Sequence, residues 1–142
     1  MSDTMKTFSM IDHTADIGIE VYGETFPSLL EHAGSALFQI ITDTSKVKES
    51  ISYQIDITSE NHEVALRQWL EDLMIQFNGS NYLFSKFKVS MNNRDHYIGE
   101  AWGEIYDPER HIIHTEIKGI TYYQFQVSKT SDGWNARIIF DI

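Results

Sequence analysis

The sequence predicts an α+β fold: a single domain, residues 1–142, of mainly antiparallel strands packed with two amphipathic helices. Three observations carry this. Two blocks place apolar residues at helical spacing, several others alternate apolar with polar residues, and two pairs of alternating blocks are joined by short turn sequences that favour hairpins over crossovers.

The first block runs from Phe8 to Tyr22, where Ile17, Ile19 and Val21 alternate with Gly18, Glu20 and Tyr22. That period belongs to a half-buried strand, and the interruption at Asp12-His13-Thr14-Ala15-Asp16 makes the segment a β pair or a bent strand. Thr25 then stands at an N-cap position, Pro27 suits a first turn, and Leu29, Leu30, Ala33, Leu37, Ile40 and Ile41 recur at helical spacing. This first helix should stop between Thr42 and Thr44. Ile51, Tyr53, Ile55 and Ile57 alternate with Ser52, Gln54, Asp56 and Thr58, which predicts a strand. Ser59 is expected to cap the second helix, with an apolar face of Val64, Leu66, Trp69, Leu70, Leu73, Met74 and Phe77. Glu63 and Arg67 should pair one turn apart on its other side, and Asn78-Gly79 should end it. Phe87, Val89 and Met91 lead to a turn at Asn92-Asn93-Arg94-Asp95, from which Tyr97 to Tyr106 returns as a partner strand. Thr121 to Val127 and Trp134 to Ile142 flank Ser131-Asp132-Gly133 and form a last hairpin. Local pattern does not encode the order of strands within a sheet.

Composition narrows the chemistry. A chain of 142 residues with 42% hydrophobic and 13% aromatic residues can fill a core without covalent staples. The absence of cysteine excludes thiol catalysis, thiolate metal sites and iron–sulfur clusters, and fits a cytoplasmic location. No apolar run approaches the roughly 20 residues that cross a bilayer, and Met1 to Lys6 lacks the basic and apolar blocks of a signal peptide. Neither membrane insertion nor export is expected. A formal net charge of −10 repels phosphate backbones, so direct tight nucleic-acid binding is not expected either.

Two acidic places stand out. Asp12 and Asp16 flank His13 where the first alternation breaks, a grouping suited to a hard cation, to acid–base work or to a solvated turn. The last block, Trp134 to Ile142, is β-forming to its final residue and sets the α-carboxylate of Ile142 beside Asp141. Two such anions about 4 Å apart at an effective dielectric of about 20 repel by about 4 kcal/mol unless a cation intervenes; the alternative is that Asp141 points to water. Lys118, one of few cations, lies next to Gly119 before the penultimate strand, and a surface lysine is the ordinary reading of such a residue. His111 and His114 have a spacing reminiscent of zinc ligands, but no third ligand is marked. Phosphate-cradling loops, Ser-nucleophile elbows and His-Glu-x-x-His motifs are absent.

Four blocks together resemble the archease family: His13-Thr-Ala-Asp-Ile-Gly-Ile-Glu-Val-Tyr-Gly, Ala65-Leu-Arg-Gln-Trp-Leu-Glu-Asp-Leu, Ile117-Lys-Gly-Ile-Thr-Tyr-Tyr, and the terminal Trp134 with Ile138-Ile-Phe-Asp-Ile. They occur in the family's order over nearly the whole chain. The resemblance implies a non-catalytic activator of the GTP-dependent tRNA-splicing RNA ligase that promotes ligase guanylylation and multiple turnover. It further implies that Asp16, Asp141 and Ile142 bind a divalent cation, commonly calcium, with Mg²⁺ and Mn²⁺ as alternatives, and that Lys118 matters for ligase activation. Asp12 and His13 would stand behind these ligands. A chaperone-like partnership with a tRNA-modifying methyltransferase is also attached to the family. A metal-dependent phosphoester hydrolase using the same carboxylates is a third reading of the residues, weakened by the lack of a nucleophile. Gly119 and Tyr123 depart from the family's usual alanine and histidine.

Overall fold

The computed structural model describes residues 7–11 and 16–142, and Asp12 and His13 lie outside the described residues. Among the described residues, seven strands and two long helices follow one another as β1 (Phe8–Ile11), β2 (Asp16–Gly23), α1 (Phe26–Ile41), β3 (Ile51–Thr58), α2 (His62–Ser80), β4 (Tyr82–Asn93), β5 (His96–Ile105), β6 (Gly119–Thr130) and β7 (Gly133–Asp141). A short 3-10 turn, Thr44–Lys46, follows α1. The strands form two sheets, β1-β2-β7-β6 and β3-β5-β4, and every pairing between them is antiparallel. The predicted α+β class is therefore the observed one.

Both helices contact both sheets, which explains why α1 is apolar over so much of its surface. Ile19, Val21, Ile138 and Phe140 from one sheet and Ile55, Ile57, Leu83 and Val89 from the other join Leu29, Leu30, Leu37, Leu66, Leu70 and Leu73 in one core. Trp69 anchors it: the indole N–H donates to the Leu30 carbonyl at 2.7 Å, tying α2 to α1. Gly99 permits this, because a Cβ there would collide with the Trp69 ring.

The first helix begins as predicted. Thr25 accepts from Ser28 N–H at 3.1 Å while Ser28 Oγ accepts from Thr25 N–H at 3.0 Å, a reciprocal cap that satisfies two otherwise orphaned donors. At α2 the sequence reading needs three corrections. Asn61, not Ser59, is the N-cap, with its side chain accepting from Val64 N–H at 3.0 Å; Ser59 instead holds Asn61 in place, its hydroxyl accepting from Asn61 N–H at 3.1 Å. The helix also passes through Asn78-Gly79 and stops at Asn81, whose φ of 62° takes the left-handed position. Glycine costs a helix only about 1 kcal/mol, so it marks an end only where the chain also turns. Lastly, Glu63 and Arg67 do not pair with each other. Both reach β6: Glu63 accepts from Val127 N–H at 3.3 Å, and the Arg67 guanidinium lies over the Tyr122 ring, 5.2 Å from its centre.

Strand irregularities escaped the periodicity, among them a register shift in β4 between Phe84 and Lys86. The β4–β5 strands continue into the expected turn, leaving only Arg94 and Asp95 as its two central residues, with Asp95 at φ 62°. In β6 the register jumps between Thr121, opposite Ile139, and Gln126, opposite Arg137. Tyr122 to Phe125 therefore leave the ladder, with Gln124 at φ 57° and the Tyr122 and Tyr123 rings well exposed.

Candidate functional site

The strand order sets β7 between β2 and β6, so the residues that end β7 have neighbours on both sides. Asp141 is the direct partner of Asp16 on β2 and of Gly119 on β6. Directly opposed residues of an antiparallel pair project from the same face with Cβ atoms about 4.5–5.5 Å apart, and like charges in that relation destabilise the sheet. Two acids far apart in sequence thus meet as one cross-strand pair. Among the described residues neither takes part in an ion pair. Asp16 is half-buried and Asp141 is exposed, the water-facing alternative that the sequence left open for it. Ile142 follows at the rim, 39% exposed.

Lys118 belongs to the same neighbourhood through its backbone. Its N–H donates to the Asp141 carbonyl at 2.7 Å, while its side chain is exposed. It lines a groove of about 570 Å³ between β6 and the second half of α2, walled by Met74, Ile75, Asn78 and Ile120. The one sign of this groove in the pattern of α2 is Ile75, an apolar residue off the apolar face and 63% exposed. Gly119 opens into free space: a Cβ there would meet no atom within 4 Å.

A second constellation was not foreseen. Glu104, near the end of β5, accepts from Lys48 N–H at 2.8 Å and from His111 Nε2–H at 2.9 Å, and it pairs with Arg110. Asp107 N–H donates to His111 Nδ1 at 2.9 Å, which places the ring proton on Nε2. Burial works to raise the Glu104 carboxyl, but the bonds from Lys48, Arg110 and His111 outweigh it and hold it at about 2. With both ring nitrogens of the buried His111 engaged, the His111–His114 spacing is not a ligand pair. This network instead fastens the segment between β5 and β6. Thr42 Oγ1 donates to the Ile112 carbonyl at 2.7 Å, and His114 N–H donates to the Ile41 carbonyl at 2.7 Å. The segment ends at Lys118, against Asp141.

Among the described residues no group of three or more His, Cys, Asp or Glu side chains surrounds a point where an ion could sit. The acidic pair offers only two carboxylates, and further oxygens would have to come from hydroxyls, the main chain or water. Such oxygen-only donors suit a hard cation.

The whole length from residue 8 to residue 142 matches the model of the Archease protein family (MTH1598/TM1083). The chain belongs to the archease family. It is 36% identical over 139 residues to the archease of Sulfolobus acidocaldarius, covering 97% of this chain and 100% of the relative. It is 38% identical over 143 residues to that of Methanosarcina acetivorans, covering 96% and 97%. Among solved structures, it is similar to the solution structure of Methanobacterium thermoautotrophicum protein 1598, with 35% identity, a TM-score of 0.86, and coverage of 97% of this chain and 100% of that one. The crystal structure of an archease and possible chaperone from Thermotoga maritima, at 19% identity with a TM-score of 0.67, covers 99% and 100% and shares the fold. The four sequence blocks thus identified the family correctly. In the archease fold the first, third and fourth of them come together, because β2, β6 and β7 are neighbours; the second, on α2, supplies Trp69 to the core and Glu71 to the groove.

Proposed function

We propose that this archease is a non-catalytic activator of a GTP-dependent tRNA-splicing RNA ligase, holding a divalent cation, Ca²⁺ in the first instance, with Asp16, Asp141 and a main-chain oxygen of Ile142. The observation that supports this most is the direct opposition of Asp16 and Asp141 across β2 and β7. The sheet sets the two like charges side by side, an arrangement that a bound cation turns from unfavourable to favourable. All the oxygens are hard donors, so the donor set fits Ca²⁺, Mg²⁺ or Mn²⁺. A cation here would supply positive charge able to orient or neutralise phosphate oxygens.

The chain's own residues do the rest. Asp16 and Asp141 are fixed by the strand pairing, and the bond from Lys118 N–H to the Asp141 carbonyl keeps the lysine beside them. The exposed Lys118 ammonium adds a second positive group on the same rim, available to a phosphate on a partner. The net charge of −10 favours encounter with a basic, RNA-handling protein.

The test is ligation turnover by the cognate ligase with GTP and divalent ion. Adding wild-type protein should convert single to multiple turnover, and Asp16→Ala, Asp141→Ala and Lys118→Ala should each reduce that gain while remaining folded. Unchanged turnover on adding the wild type would contradict the proposal. Suppressed aggregation of a tRNA methyltransferase without any need for metal would favour the chaperone-like role. Phosphoester turnover by the purified protein, abolished in Asp141→Asn, would favour hydrolysis.

A further inference from the structure

Thr121 holds a polar atom that its surroundings do not account for. Its Oγ1 is buried and has no hydrogen-bond partner among the described residues. Buried hydroxyls are nearly always bonded, and one that is not calls for a ligand, a water or a strain to explain it. The position of this one on the sheet suggests a ligand.

Thr121 pairs with Ile139, and Gly119 with Asp141. Thr121 is therefore the diagonal neighbour of Asp141, on the same sheet face as Asp141 and Asp16. Diagonal residues stand about 7–8 Å apart at Cα, which keeps a short hydroxyl out of direct reach of the carboxylate. One ion closes that gap, since two oxygens on opposite sides of a Ca²⁺ lie about 5 Å apart. Gly119 leaves the way clear: it carries no side chain, and a Cβ there would meet nothing within 4 Å. The ladder also breaks immediately after Thr121, so Thr121 is the last regularly paired residue before the bulge at Tyr122 to Phe125. The stretch of β6 before the bulge thus carries two residues on this face, one an open glycine beside Asp141 and the other a threonine with an idle hydroxyl.

We infer that Thr121 is a further member of the cation site, its hydroxyl oxygen turned toward the ion held by Asp16 and Asp141. This rests on the cation reading above and adds to it a neutral ligand from a third strand, making the site a property of β2, β7 and β6 together. The hydroxyl would contribute without adding a third negative charge to a pair that already repels.

The test is calorimetric titration of the chelator-treated full-length protein with Ca²⁺, Mg²⁺ and Mn²⁺, in wild type, Thr121→Val and Thr121→Ser, with metal-free melting temperatures measured in parallel. Thr121→Val, which keeps the shape and removes the oxygen, should lose about tenfold in affinity, and Thr121→Ser should stay close to wild type. The metal-free Thr121→Val protein should melt no lower than wild type, because it replaces an unpartnered buried hydroxyl with a methyl group. Wild-type affinity in Thr121→Val would overturn the inference and leave the cation reading standing. So would a lower metal-free melting temperature, which would reveal a structural bond to the hydroxyl. A wild type that binds none of the three ions would overturn the cation reading, and this inference with it.

Discussion

Glu104 and the Asp16–Asp141 pair are both acidic groups on strand ends, and the fold treats them in opposite ways. Glu104 is surrounded by donors: a backbone N–H, a guanidinium and a buried imidazole all point at its two oxygens. Asp16 and Asp141 face each other, and no described cation pairs with either. The first arrangement is complete within the chain and serves to fasten the segment between β5 and β6. The second has no such donors among the described residues, and the proposed cation would supply the missing positive charge. Acidity by itself does not mark a structural anchor; the donors already aimed at the Glu104 oxygens do.

The contrast makes predictions of opposite sign. The largest effect belongs to Glu104. Glu104→Ala strands His111 Nε2–H and Lys48 N–H without an acceptor and should lower the free energy of unfolding by about 2–3 kcal/mol in urea titration. The same network has a pH signature. A carboxyl held at about 2, below its ordinary 4.5, stabilises the fold at pH values above 4.5, and that contribution is lost as pH falls from about 4.5 to about 2. Acid titration of wild type should therefore show a loss of stability through this window that is reduced in Glu104→Gln. Asp141→Asn should do the reverse of Glu104→Ala, gaining up to about 1 kcal/mol in metal-free protein by relieving the cross-strand repulsion. Equal losses at Glu104 and Asp141 would erase the distinction. The smallest effect is expected at Gly119→Ala, where open space receives the methyl group: stability should stay within about 0.5 kcal/mol of wild type. This also predicts that the family's usual alanine can be restored without disturbing Asp141.

Most of the elements were legible because their causes are local. Thr25 caps α1 through residues three positions away, and β3 announced both its ends by strict alternation from Ile51 to Thr58. The errors at α2 arose where two local signals competed: Ser59 and Asn61 are both cap formers, and the choice depends on which one the incoming β3 leaves in reach of Val64 N–H. Glu63 and Arg67 had the spacing of a surface pair, yet β6 offers each a better partner, which only the packed structure reveals. The acidic pair was visible as two separate motifs. Their meeting depends on β2 and β7 being neighbours, a matter of sheet order that no window of sequence contains. Glu104 was invisible for the same reason, since its three donors come from Lys48, Arg110 and His111, on two different segments.

The central claim is that Asp16 and Asp141 form one cation site, and thermal unfolding with and without Ca²⁺ tests it most directly. Wild type should melt higher in millimolar Ca²⁺ than in chelator, whereas the double variant Asp16→Asn, Asp141→Asn should melt at least as high as wild type in chelator and show no response to the ion. A wild type indifferent to Ca²⁺, or a double variant that gains as much from it as wild type, would contradict the account.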